Sequence, residues 1–386
     1  MIYDEIYLDH AAATPMADFV VEAMQPYFSE FFYNPSSPYA PAVKVRREYE
    51  VAKQQLAETF GAKGDEVVIT AGATESINLV FSAIAGHVVT SKIEHPAVLE
   101  SAKRRDHTLV EVSEKGMVSP EAIRQAVRPD TSLVSIAFAN NELGTLQPIR
   151  RIAQMIETER RNRAEQGNMT PLLFHCDASQ GFDQMDIHVA RLGVDLLTLN
   201  AGKVYGPKQV GLLWTKRSAH LEPYIVGGGQ ERGLRSGTEN VAGTIGFAVA
   251  AHRASEMRRS EGARLRDLRD LLQGQLTDAF PESVVLGSQK HRLPGHLSMA
   301  FPMIDAERII FLLEARGIYV ATGSACSANK HTASHVLRAI GIDEALINGS
   351  LRFTLGRHTT KEQILLAAEG IIQAVSNEYQ RMERTA

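Results

Sequence analysis

The chain reads as an α/β protein: a largely parallel sheet covered on both faces, followed by a smaller α/β unit. Three features predict this. From about residue 43, short apolar, β-branched runs alternate with helix-like stretches, the pattern of a parallel sheet with crossover helices. The runs are apolar throughout rather than at every second position, as strands buried on both faces are. A long charged amphipathic stretch, from His252 to Leu276, then separates a first set of elements from a second, shorter one.

In chain order, Val43–Phe60 predicts a helix ended by Gly61, and Glu66–Thr70 a strand. Thr74–Ala85 predicts a helix with Thr74 or a neighbour as N-cap. Buried strands are expected at His87–Ser91, Leu133–Ala137, Leu172–Cys176 and Asp195–Leu199, with a helix at Ile149–Arg163. Met257, Leu265, Leu268, Leu272 and Leu276 fall roughly on one face of the long helix that leaves the first unit. The second unit comprises strands Val284–Leu286, Leu297–Phe301 and Tyr319–Ala321, helix Ala306–Arg316 and a terminal helix from Lys361. The expected division is 12–255 for the large domain, and 1–11 with 256–386 for the small one.

Composition narrows the function. With 386 residues, 44% hydrophobic and 22% charged, the chain has ample material for a core. A net charge of −4 carries no nucleic-acid signature. Two cysteines far apart, Cys176 and Cys326, make a disulfide framework unsuitable and fit a reducing cytoplasm. No signal-peptide pattern opens the chain, and no uncharged apolar run approaches the roughly 18 residues that span a bilayer. A soluble cytoplasmic protein is expected.

Four segments carry chemistry. Thr70-Ala71-Gly72-Ala73-Thr74-Glu75 joins a strand to a helix, where small residues and a helix N-terminus let backbone N–H groups meet an anion. An ordinary strand-to-helix turn has the same composition. His175-Cys176-Asp177-Ala178-Ser179-Gln180 closes an apolar strand, at the end where open α/β sheets bind ligands. There Asp177 could pair with a protonated ring nitrogen and Gln180 could donate to an oxyanion, or Asp177 could simply cap the turn. Adjacent strand residues face opposite ways, so His175, Cys176 and Asp177 cannot chelate a metal together. Asn200-Ala201-Gly202-Lys203-Val204-Tyr205-Gly206-Pro207-Lys208 follows another apolar strand, and a lysine on such a partly dry turn is a usable amine for a Schiff base. Lys208 carries no such role and illustrates the ordinary solvated lysine. Finally, Cys326 stands among small residues in Gly323-Ser324-Ala325-Cys326-Ser327-Ala328, the setting of an exposed, reactive thiol, whereas Cys176 reads as a buried hydrophobe.

Together these segments resemble the cysteine desulfurases, the class V aminotransferase branch of the fold-type I pyridoxal 5'-phosphate (PLP) enzymes. The resemblance runs through Tyr7-Leu8-Asp9-His10-Ala11-Ala12-Ala13-Thr14-Pro15, Asn34-Pro35-Ser36-Ser37, Glu94-His95-Pro96 and Asn140-Asn141-Glu142-Leu143-Gly144. It continues through the glycine-rich stretch Gly227 to Thr238, Gly323-Ser324-Ala325-Cys326 and Leu351-Arg352-Phe353-Thr354-Leu355-Gly356-Arg357. The fold it implies is a fold-type I PLP-dependent transferase: a large domain with a mostly parallel seven-stranded sheet flanked by helices, plus a smaller C-terminal α/β domain that carries the catalytic cysteine loop, about 321–335.

The resemblance also implies roles. Lys203 holds the cofactor as a Schiff base, His95 stacks on its ring, and Asp177 pairs with the ring nitrogen. Gln180 and Asn141 lie on the phenolate side, and Ala73, Thr74 and Asn200 belong to the cofactor site. Thr238 reaches the phosphate from a partner subunit, which implies a homodimer. Arg357, with Asn141, binds the substrate L-cysteine, while Arg352 and Arg235 read equally well as structural ion pairs. The implied activity moves sulfur from L-cysteine to Cys326 as a persulfide and releases L-alanine. Nine residues, 327–335, lie between Cys326 and Val336, which resembles the longer loop of the desulfurases of iron–sulfur assembly and RNA thiolation. The sulfur is therefore expected to pass to an acceptor protein, with no direct nucleic-acid or membrane contact. No metal site is expected, although Cys326 as a persulfide is a candidate cluster ligand. Two other readings share the scaffold: a selenocysteine lyase or cystine C–S lyase, and a weakly active paralogue kept as a scaffold. Cys326 favours the desulfurase.

The sequence departs from the family pattern at Asn200 and Gly202, where a serine and a histidine that contact the phosphate are usual. Tyr39 likewise stands for a histidine and Tyr33 for a glycine, both expected near the cofactor.

Overall fold

The computed structural model describes residues 5–322 and 334–383. After a short strand β1 (Ile6–Tyr7), the chain builds a seven-stranded sheet from β2 (Val67–Thr70), β3 (His87–Ser91), β4 (His107–Val110), β5 (Thr131–Ser135), β6 (Leu173–Asp177), β7 (Leu196–Asn200) and β8 (Gly211–Thr215). Their order across the sheet is β2-β8-β7-β6-β5-β3-β4, with β8 antiparallel to both neighbours and the other pairs parallel. The mostly parallel seven-stranded expectation is met. A four-stranded sheet, ordered β12-β13-β10-β9, follows from β9 (Val284–Val285), β10 (His296–Ala300), β12 (Ala321–Thr322) and β13 (Ser350–Thr354), while β11 (Ile318–Tyr319) pairs in parallel with β1.

Burial explains why the apolar runs become strands. β2, β3, β5 and β8 are buried at every residue, so both faces are covered by helices and continuous apolar character is favoured over alternation. Each fully buried Val, Leu or Ile contributes about 1.5–3 kcal/mol relative to exposure. The long helix, Val241–Ala279, begins well before the predicted His252, because its first half is rich in Ala and Gly rather than charge. Residues up to Ala254 pack in the core of the large sheet, and residues from Leu265 pack in a second core with Leu297, Phe353 and Ile371.

Several boundaries shift. The helix predicted from Thr74 starts at Ala73, and Gly72 rather than Thr74 is its N-cap. Gly72 holds φ at 134°, a value that only a residue without Cβ adopts easily. The strand expected at Tyr319–Ala321 is split between β11 and β12. β8 and β13 had no predicted counterpart. Among the described residues, no helix is long and apolar enough to cross a membrane.

Direction matters for the site. Thr70, Asp177 and Asn200 all end strands on one edge of the large sheet, and Gly211 starts β8 there, paired with both Thr70 and Asn200. A Cβ at Gly211 would come within 2.7 Å of the Gly72 backbone, so the close approach of β8 to the turn after β2 requires glycine.

Candidate active site

A cavity of about 660 Å³ opens on this edge, within the range of small-molecule sites. The turn Ala71–Glu75, the pair Ala12–Ala13, and Asn200, Gly202, Lys203, Lys208 and Gln209 line it. Four residues expected in a cofactor site, Ala73, Thr74, Asn200 and Lys203, thus share one wall.

Lys203 ends a single 3-10 turn, Ala201–Lys203, which Asn200 caps by accepting from the Gly202 N–H at 3.1 Å. The Lys203 ammonium donates to the carbonyls of Ala11 and Ala12, each at 2.6 Å. Gln180 donates to the same Ala11 oxygen at 3.0 Å, which brings the ends of β6 and β7 to one point.

Asp177 is buried at the end of β6, and one of its oxygens accepts from the Ser179 N–H at 3.0 Å. The turn-capping role is therefore real, and it leaves the second oxygen to other partners. Nearby, the Ser179 hydroxyl is buried without a partner among the described residues. Cys176, one residue earlier, points into the core, where burial pushes its thiol up; it is the hydrophobe expected. His175 is equally buried, bridging Ser135 and Thr198, and burial pushes it down to about 4.

His95 caps the helix Pro96–Ala102, accepting from the Ala97 N–H on Nδ1 at 3.1 Å. Burial holds the imidazole below its ordinary pKa; the Asp177 charge opposes this and Lys203 adds to it. His95 is thus neutral with its proton on Nε2. Those mutual influences also place His95, Asp177 and Lys203 within one electrostatic neighbourhood. The preceding residue, Glu94, is fully buried and takes hydrogen bonds from Ser91 (2.6 Å) and the Ala137 N–H (2.9 Å). Burial still pushes its carboxyl up to about 8.

Arg357 follows β13 and stacks on Tyr205, with its guanidinium carbon 4.3 Å from the ring centroid. Its backbone N–H donates to the Tyr205 hydroxyl at 2.5 Å, and Arg264 pins the loop through the carbonyls of Gly356, Arg357 and Thr359. Asn141 lies beside Arg352, which donates to its carbonyl at 3.1 Å and pairs with Asp9 at 2.6 Å. Arg235 pairs with Glu75 at 2.8 Å. Both arginines therefore form the ion pairs allowed for them.

Other expectations are not gathered in: His95, Asn141, Asp177, Gln180 and Arg357 are not among the residues that line this cavity. Thr238 is exposed and does not line the cavity. Tyr33 and Tyr39 form an edge-on aromatic pair 6.1 Å apart and also lie off the cavity wall. Cys326 lies outside the described residues; the residues that flank its segment contact Arg352, Glu142 and Glu94. Ala321 pairs with Arg352, Ser334 donates to Glu142 at 2.5 Å, and His335 contacts the Glu94 carbonyl at 3.0 Å. Lys208 is exposed, as expected of a solvated lysine, but it also lines the cavity and donates to the Thr14 carbonyl, and burial lowers its pKa. Sequence reasoning also missed Tyr205 and the Ala11–Ala12 carbonyls, although both sit inside quoted motifs.

The model of the family Aminotransferase class-V matches residues 6–366. The chain belongs to the class-V aminotransferase family. Within that family it is 39% identical to "Cysteine desulfurase IscS" of Dictyoglomus turgidum over 372 residues, 93% of this chain and 92% of the relative. It is also 39% identical to "Cysteine desulfurase IscS 1" of Archaeoglobus fulgidus, over 93% of this chain and 94% of the relative. Among solved structures, a "NIFS-LIKE PROTEIN" superposes with a TM-score of 0.88 at 32% identity, covering 96% of this chain and 99% of that one. "SspA in complex with cysteine" superposes with a TM-score of 0.79 at 33% identity, covering 92% and 100%.

Proposed function

We propose that this class-V protein is a PLP-dependent cysteine desulfurase. The observation that carries the reading is the convergence of Lys203, Gln180 and the Ala11 carbonyl beside Asp177 and a neutral His95.

The donor set suits PLP. Gly72, with no atom within 4 Å of its absent Cβ, leaves a cradle at the N-terminus of helix Ala73–Ser82 where the amides of Ala73 and Thr74 favour a phosphate. Lys203 is the amine for a Schiff base, Asp177 the carboxylate for the ring nitrogen, and His95 the flat neighbour. Gln180, Asn141 and Asn200 complete the polar set. When bound, PLP withdraws electrons from the substrate carbon and loosens the bonds around it.

The chain's own residues do the rest. Arg357, held over the Tyr205 ring, presents a planar guanidinium to the L-cysteine carboxylate. The Lys203 amine would be the group that moves the proton at Cα of the substrate. Cys326, as thiolate, attacks the substrate sulfur: the S–S bond forms, the carbon–sulfur bond breaks, and the carbon product takes up a proton and leaves as L-alanine. The persulfide then passes to an acceptor protein for iron–sulfur assembly or thiolation. Exposed Thr238 supports a homodimer in which each subunit contributes this residue to its partner's phosphate. The two buried cores support a division at about residue 255.

The test is to add PLP and L-cysteine to the purified chain. A visible Schiff-base absorbance band that Lys203→Ala abolishes, with alanine and sulfide formed together and sulfide lost in Cys326→Ala, is the expected result. Full sulfide release by Cys326→Ala would instead indicate a lyase.

A further inference from the structure

The cradle end of the cavity has a charge problem. A phosphate monoester carries close to two negative charges at neutral pH. The cations among the lining residues are Lys203 and Lys208, and Lys203 is committed to the Schiff base. Glu75 adds no net negative charge, because Arg235 pairs with it and the Ala71 N–H donates to it at 2.8 Å. The histidine expected at residue 202 is missing, and Gly202 offers no side chain.

Lys208 occupies the neighbourhood of that missing side chain. A Cβ built on Gly202 lies 3.9 Å from both Cγ and Cδ of Lys208 and 3.5 Å from Oδ1 of Asn200, so the lysine stem borders the empty space. Thr14 ties the two positions together. Its N–H and hydroxyl donate to the Gly202 carbonyl at 3.2 and 3.1 Å, while its own carbonyl accepts from the Lys208 ammonium. The loop carrying Lys208 ends at Gly211, packed on the Gly72 backbone. An ammonium has three donors, and the Thr14 carbonyl engages one of them.

From this geometry we infer that Lys208 is a phosphate-binding residue of this chain, supplying from the far side of the loop the charge and hydrogen bond that residue 202 lacks. The inference rests on the reading of the cavity as a PLP site.

The test compares affinities of the cofactor-free protein for PLP and for pyridoxal, which lacks the phosphate, by absorbance titration. Wild type is expected to prefer PLP. Lys208→Gln keeps a donor for the Thr14 carbonyl but removes the charge, and should shrink that preference by about tenfold or more while leaving pyridoxal affinity unchanged. Lys208→Arg should retain it, and Gly202→His combined with Lys208→Gln should recover part of it. An undiminished preference in Lys208→Gln overturns the role of Lys208 alone. Failure of wild type to bind either compound overturns the PLP reading and this inference with it.

Discussion

Lys203 and Gln180 donate to one and the same acceptor, the Ala11 carbonyl, at 2.6 and 3.0 Å. An N-terminal segment remote in sequence from both strands is therefore part of the site's frame. That segment is fixed in turn by β13, where the Thr354 hydroxyl accepts from the Ala11 N–H at 2.9 Å and the Thr354 carbonyl accepts from the His10 N–H at 3.2 Å.

Thr354→Val should show the value of this frame. The substitution keeps shape but leaves the buried Ala11 N–H without its acceptor, at a cost of about 1–3 kcal/mol. A lower urea midpoint and faster loss of PLP on dialysis are expected. Unchanged retention of the cofactor would mean that the Ala11 carbonyl does not depend on β13.

Glu94 gives a pH signature. Burial raises its carboxyl from an ordinary 4.5 to about 8, so across that window the folded protein keeps a proton that the unfolded chain has released. Stability therefore falls as pH rises from about 4.5 to about 8 and levels off above. Glu142, raised to about 7 by burial, acts in the same direction over a narrower range. In Glu94→Gln the side-chain oxygen still accepts from Ala137 and the amide donates to Ser91. Urea midpoints of the two proteins should agree near pH 5 and diverge by pH 8, the variant being more stable by on the order of 3 kcal/mol. Parallel curves would show that Glu94 is not buried as a neutral acid.

The strands that position the site were readable because burial on both faces demands apolar runs, and β3 was found to the residue. β8 escaped notice because Gly211–Thr215 follows the lysine turn without a helix between, breaking the strand–helix alternation used to find the others. The placement of Asp177 at the end of β6 and of Lys203 on the turn after β7 was legible from the apolar runs that precede them. The hydrogen bond from Lys208 to Thr14 was not, since it joins residues 194 apart in sequence. The setting of the Glu94 carboxyl was hidden for the same reason: the Ala137 N–H that it accepts from and the Asp177 charge that adds to its raised pKa are both remote from it in sequence.

Arg357 separates charge from shape. Lys in its place keeps the positive charge but loses both the guanidinium contact over Tyr205 and two-point pairing with a carboxylate. Arg357→Lys should raise KM for L-cysteine by about ten- to a hundredfold, with a smaller change in kcat. The PLP absorbance should be unaltered. A fall confined to kcat would remove Arg357 from substrate binding.

Ser334 fixes one end of the segment that carries Cys326. Its hydroxyl accepts from the Leu337 N–H at 3.1 Å, capping helix His335–Ala339, and donates to buried Glu142 at 2.5 Å, one residue from Asn141. Ser334→Ala removes both bonds, and the cap alone is worth about 1 kcal/mol. Persulfide formation on Cys326 should slow by roughly fivefold, a change of about 1 kcal/mol. Differential alkylation of Cys326 after a single turnover measures this directly. Cofactor absorbance and PLP affinity should stay as in wild type, because Ser334 touches neither the cradle nor Lys203. A variant that folds, binds PLP and forms persulfide at the wild-type rate would show that the segment needs no anchor at Glu142.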